Sequence, residues 1–348
     1  MKIEFFRQHG ARRLRSYNPQ PPLLNDGLTL DDEPDDKRDL DYEAPRDDWK
    51  PYAVSGVGAS CDDWMGRPVR FIDGKDVGRT VASLRSREGY PVPVRLAEIG
   101  AVVMKDNSGR LQREFAVVER VVSFQIDLFP WDEIENLAMA LRENGFRLLA
   151  ADPPERNLRH DFERMRRATM NRSNYEMAQL ERQAFARDGE APTIVDGRLK
   201  SRAGVFGEKG CPVIGLIKTQ QQDYLHPQGW RVFYELQPGQ RTPAFRISSK
   251  HLDVVSWYLR LDGARGELPN WGVVRVEIPM RFFEDSAGKD WDYANRLSRL
   301  LCDFRSRDES YRRAPVTITP IQRAEKSLGA MFTKHQALLG RFYRLAGL

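Results

Sequence analysis

Residues 69–74, Val-Arg-Phe-Ile-Asp-Gly, run from apolar strand-forming side chains straight into an acid and a glycine. Far downstream the chain repeats the pattern at Thr193-Ile194-Val195-Asp196-Gly197. Each run reads as a strand that ends on its aspartate, with the glycine releasing the backbone into a turn. Asp-Gly is also an ordinary turn dipeptide, so the weight falls on the elements between the two.

Those elements have a definite order. Residues 67–73 form the first strand, 92–104 a second, and 114–126, rich in Val and Phe, a third. Short turns such as Asn107-Ser108-Gly109 join them, which predicts an antiparallel meander. A helix over 131–144 stops before Gly145. Residues 155–187 then carry neither Gly nor Pro and predict a long helical segment, with 171–174 as the place for a break. Residues 193–196 supply a fourth strand and 211–218 a fifth; 231–236, 244–247, 254–261 and 273–278 read as further strands. A last helix starts at Thr319, where Thr-Pro-Ile-Gln offers an N-cap, a proline at N1 and a glutamine at N3.

Three meander strands, a helix and a fourth strand is the order of the ribonuclease-H-like fold. The expected class is α/β, a ribonuclease-H-like mixed sheet flanked by helices, with additional C-terminal strands and a long central helical segment. Residues 1–60 mix basic, proline-rich and acidic stretches and read as an extended or partly disordered arm, acidic at 31–48. Residues 61–348 form the domain, with a helical insertion at about 131–190.

Composition narrows the function classes. Apolar residues make up 41% of the 348, enough for a sizeable core, and charged residues 30%. Lys and Arg number 55 against 50 Asp and Glu, a net charge of +5 that is compatible with nucleic acid without requiring it. Cys61, Cys211 and Cys302 are scattered and form no CxxC, which fits a reduced cytoplasmic protein. No apolar run reaches the roughly 18–20 residues of a membrane span, and no signal-peptide pattern opens the chain, so no membrane partner is expected. The five histidines form neither HxH nor HExxH, against a zinc hydrolase.

Oxygen ligands are better supplied. On an uninterrupted helix Leu158, Phe162, Met165, Thr169, Arg172, Glu176 and Gln179 share one face. A carboxylate on that core-facing stripe needs a partner: either Arg172, one turn away, or a metal shared with the two aspartates. Glu181 falls outside the stripe and reads as solvated unless a break resets the phase. Mg²⁺ and Mn²⁺ are hard cations that take oxygen ligands, and a pair about 4 Å apart can activate water and stabilise the leaving oxygen of a phosphodiester. Lys218 closes the apolar run 213–217; it either emerges into solvent or touches a scissile phosphate. On the last helix Glu325 and His335 are polar positions in the apolar stripe Ile321, Leu328, Phe332, Leu339 and Phe342. Either can complete the acidic set or pair locally.

The eight arginines from Arg156 to Arg187 form a solvated face or contact DNA phosphates. Tyr224, Trp230, Trp257, Tyr258 and Trp271 lie among basic residues and serve as core, as interface, or as stacking platforms for unpaired bases.

Taken together, these residues resemble the NurA nuclease family. The matching motifs are Ile72-Asp73-Gly74, Arg172-Ser173-Asn174-Tyr175-Glu176, Val195-Asp196-Gly197-Arg198-Leu199 and Val213-Ile214-Gly215-Leu216-Ile217-Lys218. The likeness spans roughly residues 67–335. It implies a metal-dependent DNA nuclease of ribonuclease-H-like fold, using Mn²⁺ or Mg²⁺. It implies action beside a hexameric HerA-like ATPase in DNA end processing, repair or anti-phage defence, as a homodimer or higher homo-oligomer. By the same resemblance Asp73, Glu176 and Asp196 hold the metal and Lys218 lies near the phosphate. The family's late Ala-His appears here as Ala324-Glu325, so glutamate replaces histidine or His335 serves from elsewhere. That departure motivates a second expectation, a catalytically incomplete subunit on the same fold that binds DNA or the ATPase.

Overall fold

The computed structural model describes residues 2–14, 37–54, 66–153, 155–199, 213–218, 224–249, 252–263, 268–287, 291–307 and 317–348. Its strands are β1 (Arg12–Arg13), β2 (Lys37–Asp39), β3 (Tyr52–Ala53), β4 (Arg70–Arg85), β5 (Pro91–Asn107), β6 (Arg110–Phe124), β7 (Arg147–Ala150), β8 (Thr193–Asp196), β9 (Val213–Ile217), β10 (Gln240–Arg241), β11 (Phe245–Ser248), β12 (Val254–Arg260) and β13 (Val273–Pro279). The helices are α1 (Glu4–Gln8), α2 (Trp131–Glu143), α3 (Phe162–Ala186), α4 (Pro227–Glu235), α5 (Met280–Ala287), α6 (Trp291–Asp303), α7 (Thr319–Met331) and α8 (His335–Ala346).

The centre of the sheet runs β6-β5-β4-β8-β9. β4, β5 and β6 form the antiparallel meander, β8 joins β4 in parallel, and β9 joins β8 in parallel. This is the ribonuclease-H-like arrangement that the element order predicts. β13, β12, β11 and β2 continue the sheet antiparallel beyond β9, and β7 closes the opposite edge, parallel to β6.

Helices cover both faces, so the central strands are apolar on each side. Along β4 the side chains alternate. Ile72 joins Val195 under Leu180 and Ala184 of α3, whereas Phe71 joins Ile194, Ile214 and Leu216 under Ile321, Ala324 and Leu328 of α7. Each of the larger side chains here, the alanines aside, contributes about 1.5–3 kcal/mol on removal from water before conformational entropy is counted. A third cluster packs α2 and α8 on the far end of the meander, and Phe5 and Phe6 of α1 are part of it. Residues 3–13 are therefore held to the core, as is buried Trp49. No helix among the described residues is long and apolar enough to cross a membrane.

Several local expectations give way. Asp73-Gly74 is not a strand end, since β4 continues to Arg85 and pairs with β5 throughout. The polar run after Asp73 survives in a strand because Asp76 finds Arg95 at 2.8 Å and the Ser173 hydroxyl at 2.7 Å. Residues 231–236 are not a strand: helix α4 covers all but the last of them, Pro227 sits in its first turn, and it buries Val232 and Phe233. α3 passes through 171–174 without a break. The last helix is two helices, parted where buried Glu98 of β5 accepts from the Thr333 backbone N–H and hydroxyl, both at 2.6 Å.

Candidate metal centre

Asp196 ends β8, and the turn behind it requires a glycine, because Gly197 has φ of 112°. The Gly197 N–H donates to the Leu216 carbonyl at 2.9 Å, tying the turn back to β9. Two residues on, the Leu199 N–H donates to the carboxylate of buried Glu277 at 2.9 Å. Glu277 is itself held by buried Arg275 at 2.6 Å. The loop that aims Asp196 thus rests on an ion pair inside the sheet.

Asp73 lies one strand over, on the α7 face. α7 places Glu325 above both aspartates, and one oxygen from each of the three carboxylates lies within 4.8 Å of the other two. Lys218, just past β9 and 5% exposed in its side chain, reaches Asp196 at 2.7 Å and Glu325 at 3.1 Å.

The electrostatics follow from crowding like charges away from water. Burial, reinforced by the Asp196 carboxylate, pushes Asp73 well above the ordinary carboxylate range. Burial also raises Glu325, while Lys218 beside it pulls the other way. Burial alone would lower the Lys218 ammonium; Asp196, Glu325 and Asp73 outweigh it and hold the charge on more firmly than in water. An all-oxygen donor set of this kind suits a hard divalent cation.

The acid of α3 whose charge acts on this group is Glu181. A Cβ on Gly74 would stand 2.5 Å from Glu181 Oε1, so the carboxylate occupies the space that the missing side chain leaves on the α3 face of β4. Glu181 is 1% exposed and its charge adds to the pressure on Asp73. Glu176 faces elsewhere. Its carboxylate pairs with Arg147 at 2.7 Å and with Arg172 one turn before it, the ordinary partner that helix spacing offers.

His335 starts α8, beyond the break, outside the acidic group. Burial and the neighbouring Arg79 lower its pKa. Among the aromatics, Trp257 and Tyr258 are buried in the core, and Tyr224 is buried with its ring against Arg275.

Glu181 escapes sequence reasoning because it falls outside the stripe that Met165, Thr169 and Glu176 share, and the buried face of α3 widens at its C-terminal end to take in Leu180, Glu181, Ala184 and Phe185. The signal that points to it is Gly74 itself: a glycine inside a strand often marks a close approach rather than a turn.

No protein-family model and no curated protein sequence matches this chain. Among solved structures, the NurA nuclease from Sulfolobus solfataricus aligns with a TM-score of 0.45 and 11% sequence identity, covering 80% of this chain and 81% of that one.

Proposed function

We propose that this protein is a metal-dependent nuclease that hydrolyses phosphodiester bonds in DNA. The observation that carries the reading is the convergence of Asp73, Asp196 and Glu325 beside Lys218, on the first and fourth strands of a ribonuclease-H-like sheet and the helix above them. Asp73, Asp196 and Glu325 would hold Mn²⁺ or Mg²⁺, with Glu181 in the helical place that the motif spacing gives to Glu176. A bound divalent ion supplies Lewis-acid stabilisation of phosphoryl oxygens and a more acidic water. Lys218 supplies a point charge for a phosphate oxygen. Buried Arg275 and Glu277 keep the Asp196 loop in place. The motif resemblance to NurA proteins supports a HerA-like ATPase as partner, a homo-oligomeric state and a role in end processing or defence.

Purified protein is expected to degrade DNA oligonucleotides in Mn²⁺ or Mg²⁺ and to stop when EDTA removes the ion. Absence of metal-stimulated cleavage on single-stranded, duplex and overhang-bearing DNA alike would overturn the reading.

The two helical acids separate cleanly. Glu181→Gln is expected to weaken Mn²⁺ binding more than about 10-fold, at least the cost of losing an outer-shell partner. Glu176→Gln is expected to leave it unchanged. Isothermal titration on both variants checks this, and equal losses would return Glu176 to the site.

A further inference from the structure

Among the described residues, β4 has an open edge in the middle of the sheet. β8 pairs with it only over Arg70–Ile72, and β1 only at Ala82 and Ser83. Between these, residues 74–80 have no strand partner on that side among the described residues. On the α7 face this stretch presents Lys75, Val77 and Arg79, in line with Asp73. Lys75 is exposed, Val77 is 38% exposed and Arg79 is half-buried.

What sets the two cations apart is their place, in one row on the face of β4 that carries Asp73. Arg70 and Arg95, on the α3 side of the same hairpin, are locked to Glu114 and Asp76. Neither the Lys75 ammonium nor the Arg79 guanidinium makes an ion pair or side-chain hydrogen bond among the described residues; the Lys75 charge acts at longer range on Glu325. Lys75 Nζ lies 3.7 Å from where a Gly329 Cβ would stand, so it runs beside α7 below Glu325. Arg79 lies farther out, by His335 at the start of α8. At about 3.4 Å per residue the row from Asp73 to Arg79 is about 20 Å long.

A second copy of the chain fits this edge poorly. Antiparallel pairing about Val77 would set Lys75 of one copy opposite Arg79 of the other, and like charges directly opposite are destabilising. A polyanion fits it well.

Resting on the nuclease reading, we propose that Lys75 and Arg79 form a track along the open edge of β4 that binds the phosphates of one DNA strand and leads it to the acidic centre. Val77 leaves an apolar gap between the two cations against which a sugar or base packs.

The test uses full-length protein carrying Asp196→Asn, in EDTA, so that binding is read without cleavage. Affinity for a labelled single-stranded DNA oligonucleotide is measured by fluorescence anisotropy across a salt series, with and without Lys75→Gln and Arg79→Gln. The double substitution is expected to weaken binding at least 10-fold. It should also flatten the log–log salt dependence by about 1.4, at about 0.7 for each phosphate no longer neutralised. Lys75→Arg with Arg79→Lys should restore both, which separates the missing charge from misfolding. Unchanged affinity and slope would overturn the track, as would no binding by the parent protein. A change of oligomeric state with unchanged DNA affinity would overturn it too and give the edge to a second copy. Wild-type cleavage in Mn²⁺, read in parallel, decides the nuclease reading separately.

Discussion

Asp73→Asn is expected to abolish cleavage while making the metal-free protein more stable. The two effects have one cause. Asp73 is buried beside Asp196 and near Glu325, and its carboxyl is held well above its ordinary range. A carboxyl whose folded-state pKa is raised binds its proton more tightly in the folded chain than in the unfolded one. Stability is then lost as pH climbs from the ordinary carboxylate range through the raised value. Asparagine carries no charge, so it avoids that loss. At neutral pH, without metal, the variant should gain roughly 0.5–2 kcal/mol, the usual yield of relieving a strained functional site. The gain should vanish in acid, where the wild-type carboxyl is protonated. Activity moves the other way, with a fall of more than about 100-fold, beyond the cost of losing an outer-shell partner. Added Mn²⁺ should raise the melting temperature of the wild type, more so at higher pH because the metal displaces a proton, and leave the variant flat. Thermal melts in EDTA and in Mn²⁺ at two pH values check all of this. A destabilised, metal-responsive Asp73→Asn variant would remove Asp73 from the site.

Arg70→Ala should be the most damaging single change to the fold. The Arg70 guanidinium is fully buried and donates to both oxygens of Glu114, at 2.8 and 3.2 Å. It also donates to the carbonyls of Ala184, Phe185 and Asp188, at 3.0, 3.2 and 2.7 Å. Helices leave their last carbonyls unpaired, and this one side chain, three residues before Asp73, answers two of them in α3 and one just past its end. Truncation strands the Ala184 carbonyl and the Glu114 charge, while Phe185 and Asp188 keep the N–H groups of Asp188 and Ala191, at a cost of about 3–5 kcal/mol out of a total of about 5–15. Urea denaturation should show the midpoint falling steeply. Arg70→Lys keeps the charge without the fork and should fall between. Because Glu181 lies in the last turns of α3, metal affinity should drop in the lysine variant even where it stays folded.

How much of this is legible in the sequence depends on how local the cause is. The meander and Asp196 at its strand end follow from runs of Val and Ile closed by glycine, a signal carried within a few residues, and the order of those elements places β8 beside β4. Asp73 stands out through a glycine whose part is different from the expected one. Gly74 does not turn the chain but makes room for Glu181, and only the packing of α3 reveals that. The break after α7 answers to Glu98, 235 residues from Thr333 in sequence, which no periodicity within the helix records. α4 reads as a strand because aromatic and β-branched residues suit both structures. Its proline at the first turn is the better guide.

Lys218 is the positive charge at the centre of the acidic group. Its ammonium offsets part of the repulsion among Asp73, Asp196 and Glu325. On the nuclease reading, an ammonium already seated would let the chain reach its native state first and recruit metal afterwards. That separates it from small zinc domains, in which the ion is itself the organising nucleus. A cell starved of the ion would keep a stock of intact, idle protein, ready to be switched on by supply alone and without fresh synthesis.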